Sequence, residues 1–157
     1  MDICIVLGSK SDLPISNKCS AILEEFNIEH EVRVASAHRA PKYLEGVVEN
    51  AIEEGCQVFV AMAGMAAALP GVVASMTTLP VIGVPVGGKV PLDSLLSIVQ
   101  MPPGMPVATV GVDRGDNAGV LAVQMLALSN QELAERFTVW RAGKTAQVIA
   151  DDESLRE

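Results

Sequence analysis

Aromatic residues are nearly missing from this chain: three Phe, one Trp and one Tyr, 3% of 157 residues. Rings therefore cannot dominate the core, and Val, Ile, Leu, Ala and Met have to fill it. Basic residues are also few. Eleven Lys and Arg face nineteen Asp and Glu, a formal net charge of −8. A nucleic-acid binder needs a basic face to displace counterions from phosphates, so this balance argues against one. Cysteine is scarce as well. Cys4, Cys19 and Cys56 are an odd number for a disulfide framework, and no pair has metal-ligand spacing. They read as small buried hydrophobes in a reduced compartment. The start "MDICIVLGS" has no basic region before its apolar run, which makes it a poor signal peptide. A cytoplasmic protein is expected.

One long uncharged run is present. From Val58 to Met76, "VFVAMAGMAAALPGVVASM" is long enough to span a bilayer. Its Gly64 and Pro70-Gly71, its Ala and Val content, and the lack of basic flanks or an aromatic belt argue against a span. It is better read as strand, loop and helix buried on several sides. Between Cys56 and Val112 only Lys89 and Asp93 are charged. So much apolar surface in one domain of this size points to a homo-oligomer.

The apolar runs alternate with helical patterns. "ICIVLG", "HEVRVA", "QVFVAMAG", "PVIGVPV" and "MPVATVGV" read as five strands. "SDLPISNKCSAILEEF", "APKYLEGVVENAIEEG", "AAALPGVVASMT", "PLDSLLSIVQM" and "GDNAGVLAVQMLAL" read as helices between and after them. In the first, Ile15, Cys19, Ile22, Leu23 and Phe26 recur at helical spacing. Pro14 and Pro41 suit first turns, and Gly55 suits a helix end. A last helix, packing on the oligomer, is expected over 129–150, with Ser129 and Glu132 as a capping box and 151–157 as a frayed tail. Continuous apolar strands separated by helices imply a parallel sheet covered on both faces. The expected fold is α/β: a single-domain, three-layer αβα sandwich, flavodoxin-like, with about five strands and a C-terminal helix.

In open sheets of this kind, ligands bind beyond the carboxyl ends of the strands. That rule selects "GSKSD", "ASAHRAP", "AGMAAALPG", "VPVGGKVP" and "VDRGDNAG". In "GSKSD", Gly8 permits a tight turn, and Ser9, Ser11 and the helix-start amides can donate to an anion. A plain helix cap explains the same residues. Asp12 suits a ribose hydroxyl or a partnership with Arg39. In "SAHRAP", His38 can give and take protons near neutral pH, and Arg39 can pair with phosphate or carboxylate. His30, at the entry of the second strand, reads as structural or surface. The third loop has almost no polar side chains. Small residues there let a ligand approach the backbone, or serve tight helix packing.

"GSKSD", "SAHRAP", "AGMAAALPG", "LDSLLSIVQMPPGMPVATV" and "NAG" follow in this order over about positions 2 to 140. Together they resemble the PurE family, the phosphoribosylaminoimidazole carboxylase catalytic subunit, whose usual form is N5-carboxyaminoimidazole ribonucleotide mutase. The resemblance implies an octameric enzyme of purine biosynthesis with no metal and no organic cofactor. It matches His38 to the catalytic histidine. Ser9, Asp12 and Arg39 match substrate-binding residues, with Gly8, Ser11, Ser36 and Ala37 in the same two motifs. Gly64, Met65 and Ala66 open the loop expected over the reacting carboxyl group. Carbon dioxide is then an intermediate. Direct carboxylation of aminoimidazole ribonucleotide is the close alternative, and a non-catalytic flavodoxin-like nucleotide module the distant one. Four features depart from the common family form. Ala68 stands where histidine is frequent, and Met65 where a second glycine is common. "PVGGKVPLDSL" is short, and "VDRGDNAG" is more charged than usual.

Overall fold

The computed structural model describes residues 1–156. Five strands form one parallel sheet: β1 (Ile3–Leu7), β2 (His30–Val34), β3 (Val58–Ala63), β4 (Val81–Pro85) and β5 (Ala108–Thr109), in the order β2-β1-β3-β4-β5. This is the doubly wound order of flavodoxin-like sheets. Every residue of β1, β3 and β4 is buried, because each lies inside the sheet with helices on both faces. β2 is an edge strand, only partly covered, with Val32 and Val34 on its exposed side.

Six helices follow the strands: α1 (Leu13–Glu25), α2 (Pro41–Glu53), α3 (Leu69–Met76), α4 (Pro91–Val99), α5 (Gly115–Ala127) and α6 (Gln131–Ser154). Period-two alternation splits the core. Ile3, Ile5, Leu7, Val60, Met62, Ile82 and Val84 pack against α1, α5 and the start of α6. Cys4, Val6, Phe59, Ala61 and Val81 pack against α2, α3 and α4. Each fully buried aliphatic side chain contributes about 1.5–3 kcal/mol relative to exposure. The uncharged run from Val58 to Met76 is thus β3, a loop and α3. Among the described residues no helix is long and apolar enough to cross a membrane. The three cysteines are free and buried.

Several boundaries differ from expectation, among them the start of α3, at Leu69 and not Ala66. β5 is two residues long, not eight, and pairs only through Ala108 with Ile82 and Thr109 with Gly83. It is an edge strand, and Pro102, Pro103 and Pro106 before it offer no N–H to a ladder. α6 is capped by Asn130, whose side chain accepts from the Leu133 amide, so the Ser129 capping box does not form. The helix also continues through Asp151–Ser154, part of the segment expected to fray. The Gln147 amide donates to Asp151 Oδ1 at 2.7 Å, and Arg156 pairs with Asp152 one turn away, which extends the helix. Glu157 lies outside the described residues.

Candidate active site

Successive strand ends bring the selected loops to one edge of the sheet. After β1, Gly8 donates its N–H to Met62 O of the neighbouring strand at 3.0 Å. The chain then makes one 3-10 turn over Lys10–Asp12 before α1. Asp12 Oδ2 accepts from the Ser9 amide at 3.0 Å, and Ser9 Oγ accepts from the Ser11 amide at 3.3 Å. Asp12 Oδ1 accepts from the Ser11 hydroxyl at 3.2 Å. These bonds cap the 3-10 turn at Ser9, whereas α1 itself, entered from Asp12, has no side-chain cap bond. Asp12 is only 6% exposed. Burial pushes its carboxyl above the ordinary value of 3.8, against the hydrogen bonds from Ser11 and Ser9 and the nearby charge of Arg39.

After β2, the Ala35 amide continues the ladder to Leu7 O at 2.9 Å. Residues 36–40 close a turn through Ala40 N–H to Ser36 O at 2.9 Å. Pro41 then starts α2, since its fixed φ and missing N–H suit a first helical position. Ser36 Oγ accepts from both the Arg39 amide, at 3.3 Å, and Arg39 Nε, at 3.2 Å. Arg39 Nη2 donates to Gly8 O at 2.8 Å and so ties this turn to the first loop. The guanidinium forms no ion pair among the described residues. Its link to Asp12 is thus through space, not a direct bridge. His38 is exposed beside it, with no hydrogen bond on its imidazole among the described residues. His30, by contrast, holds Ile28 O through Nδ1 at 3.1 Å, a structural contact.

After β3, the loop from Gly64 to Ala68 carries no polar side chain. The space above the Gly64 Cα is taken by Val86 O, 3.3 Å from where a Cβ would lie. Met65 has φ +53, a left-handed conformation that glycine adopts freely and a larger residue adopts with strain. Its side chain is 82% exposed at the rim.

These loops enclose one cavity of ≈ 630 Å³. Gly8, Ser9, Ser11, Asp12, Ser36, Ala37, His38, Arg39, Gly64, Met65 and Ala66 all border it. Of the five selected loops, "VDRGDNAG" contributes no residue to the lining. The volume suits a small-molecule ligand. Polar donors and the His38–Arg39 pair line one side, and alanine methyls line another. Ala63, Ala67, Ala68, Leu69, Val86, Gly87 and Gly88 complete the wall. All seven fall in the selected loops "AGMAAALPG" and "VPVGGKVP", though none was assigned a role in binding. The glycine pair directly after β4 is the signal that marks two of them.

The AIR carboxylase family model matches residues 2–147. The chain belongs to the AIR carboxylase family. It is 54% identical over 156 residues to the N5-carboxyaminoimidazole ribonucleotide mutase of Methanocaldococcus jannaschii, covering 99% of this chain and 98% of that one. It is 47% identical over 154 residues to the chloroplastic phosphoribosylaminoimidazole carboxylase of Vigna aconitifolia, covering 97% of this chain but 28% of that protein. In fold it is similar to a crystal structure of a Treponema denticola PurE2 variant, with a TM-score of 0.90 at 24% identity over all of both chains.

Most of the features singled out in the sequence fall close together in the structure. Met65, Ala68 and the Gly87-Gly88 loop all border the cavity. Asp113, in the charged loop, bonds to Gly87. Arg114 and Asp116 pair with each other at 2.9 Å.

Proposed function

We propose that this chain converts N5-carboxyaminoimidazole ribonucleotide into 4-carboxy-5-aminoimidazole ribonucleotide, a step of purine biosynthesis. The observation that carries this is the convergence of His38, Arg39, the "GSKSD" donors and an apolar loop on one cavity. The full-length similarity to a mutase of the same size supports the mutase form. The relative with the carboxylase name matches over only 28% of its own length, so its name bears less on this part.

In this scheme Arg39 and the Ser9 and Ser11 groups hold the ribose phosphate. Arg39 is already oriented by Ser36 and Gly8, so little freedom is lost on binding. Asp12 keeps the first loop folded and offers its remaining lone pairs to a ribose hydroxyl. Protonated His38 donates to the exocyclic nitrogen as its carbamate C–N bond breaks and carbon dioxide leaves. The freed aminoimidazole is an enamine, nucleophilic at C4. It forms the C4–carboxylate bond with the trapped carbon dioxide, and neutral His38 removes the C4 proton. One proton leaves and returns, so one imidazole suffices. Carbon dioxide carries no charge to grip, and the alanine wall from Ala66 to Ala68 holds it by excluding water.

The same proposal takes the chain as one domain without metal or organic cofactor, acting in the cytoplasm as a homo-oligomer, an octamer by family resemblance. Exposed Leu92, Leu96 and Val99 on α4 support self-association. Purified protein supplied with each substrate separately tests the reaction. Product from the carbamate without added bicarbonate is expected. Product only from aminoimidazole ribonucleotide plus bicarbonate replaces the mutase with the direct carboxylase. A bound flavin with no turnover replaces both with a nucleotide-binding module.

A further inference from the structure

Asp113 stands just after β5, outside the cavity lining, yet it grips the loop that closes one side of the cavity. Its N–H donates to Pro85 O at 2.9 Å, at the last residue of β4. Its Oδ1 accepts from the Gly87 amide at 2.8 Å, two residues further on. The carboxylate also lies against the Gly87 Cα: a Cβ there would come 2.6 Å from Oδ2 and 3.3 Å from Cγ. Asp113 reaches this geometry with φ +59, one of three non-glycine residues with positive φ among the described residues. Asp tolerates that region better than most residues, but it remains a strained choice. Its carbonyl in turn accepts from Lys18 Nζ of α1 at 3.3 Å. From the other side, the buried Ser94 hydroxyl of α4 donates to Val86 O at 3.0 Å. Val86 and Gly87 are thus held from both flanks, and both line the cavity.

The loops after β4 and β5 therefore touch each other. The Gly87-Gly88 pair after β4 has no side chains with which to hold its own shape. A carboxylate supplied by the loop after β5 does that work here. We infer that Asp113 is a positioning residue for the Gly87–Gly88 wall of the ribonucleotide site. It touches no substrate; it acts by fixing the backbone that does. The Gly87 amide is consumed by this bond, so the wall presents Gly88 and the Val86 side chain, not the Gly87 N–H, to the ligand. The catalytic part of this inference rests on the cavity being the ribonucleotide site; the loop-fixing part does not.

Asp113→Gly separates positioning from plain structure. Glycine accepts φ +59 without strain, so the backbone keeps its path, but the acceptor oxygen is gone. Asp113→Asn retains an acceptor oxygen and tolerates the same φ. Amide exchange at 86–88, read in the unliganded protein, is expected to rise in Asp113→Gly and stay near the parent in Asp113→Asn. kcat/KM is expected to fall about tenfold or more in Asp113→Gly and to recover to within about threefold in Asp113→Asn, the range set by one charge-assisted hydrogen bond. Melting temperatures of both are expected within about 5 °C of the parent. Unchanged exchange at 86–88 in Asp113→Gly overturns the inference, and so does kcat/KM within twofold of an active parent. An Asn variant as impaired as the Gly variant overturns the acceptor role. A parent inactive on the carbamate sinks the proposed function instead, and exchange alone then decides whether Asp113 fixes the loop.

Discussion

His38 and Asp12 face the same cavity and do opposite things. His38 is exposed and free of hydrogen bonds among the described residues, as a group that must trade a proton with a ligand should be. His38→Asn keeps the polarity and removes the proton carrier. It is expected to lower kcat by about 10²–10⁴-fold while leaving ribonucleotide binding and the melting temperature nearly unchanged. Retention of more than about one per cent of kcat would remove His38 from the acid–base role. Asp12 is buried, and burial holds its carboxyl above 3.8 in the folded state. The native state then keeps its proton to higher pH than the unfolded chain does. Asp12's favourable contribution is thus complete below the unfolded value and is lost as pH rises through the folded value. Urea midpoints of the parent and Asp12→Asn, taken from pH 4 to 7, check this. The parent is expected to lose stability relative to the variant as pH rises. A difference that stays constant over that range would show that Asp12 is not perturbed by folding.

At the scale of elements, close backbone approach decides how α1 and α5 pack. A Cβ on Gly119 would lie 2.9 Å from both Cys19 O and Ile22 Cβ, and one on Gly115 would lie 2.0 Å from Ile15 O. Gly119→Ala is expected to force the helices apart and lower stability by about 1–3 kcal/mol, despite alanine's better helix propensity. A chemical denaturation curve at or above the parent's stability would mean that the helices separate freely. Neither glycine is legible in the sequence as a contact point, since each is one of many small residues in "GDNAGVLAVQ". What was legible at this scale follows from burial. β1, β3 and β4 are covered on both faces and read as unbroken apolar runs. β5 is a half-buried edge of two residues, so its short ladder could not be told from the apolar residues around it. The site was legible because the parallel order sends successive loops to one edge. The contact of Asp113 with Gly87 was not. It joins residues 26 positions apart and depends on a left-handed backbone that aspartate does not announce.

For the whole molecule, α6 is the element that one protomer does not explain. Its first turns dock firmly. Leu133 is buried, and Phe137 and Trp140 pack against Phe26 with ring centroids 5.9 and 5.7 Å away. Trp140 Nε1 also donates to Glu25 Oε1 at 2.8 Å. Beyond Trp140, every described residue from 141 to 156 is exposed, Val148 and Ile149 included. A helix standing clear of its own core gains little from packing, and isolated helices of this length are marginal in water. A neighbouring copy would supply the missing contacts, bury Val148 and Ile149, and give the C-terminal helix a role in assembly. Removal of residues 141–157 tests this directly. The core clusters contain none of those residues, so far-ultraviolet circular dichroism is expected to lose only the helical signal of that segment. Light scattering is expected to report a smaller assembly than the full chain forms under the same conditions. An assembly with the full chain's subunit number would place the contacts between copies elsewhere, with the exposed Leu92, Leu96 and Val99 of α4 as the surface to change next.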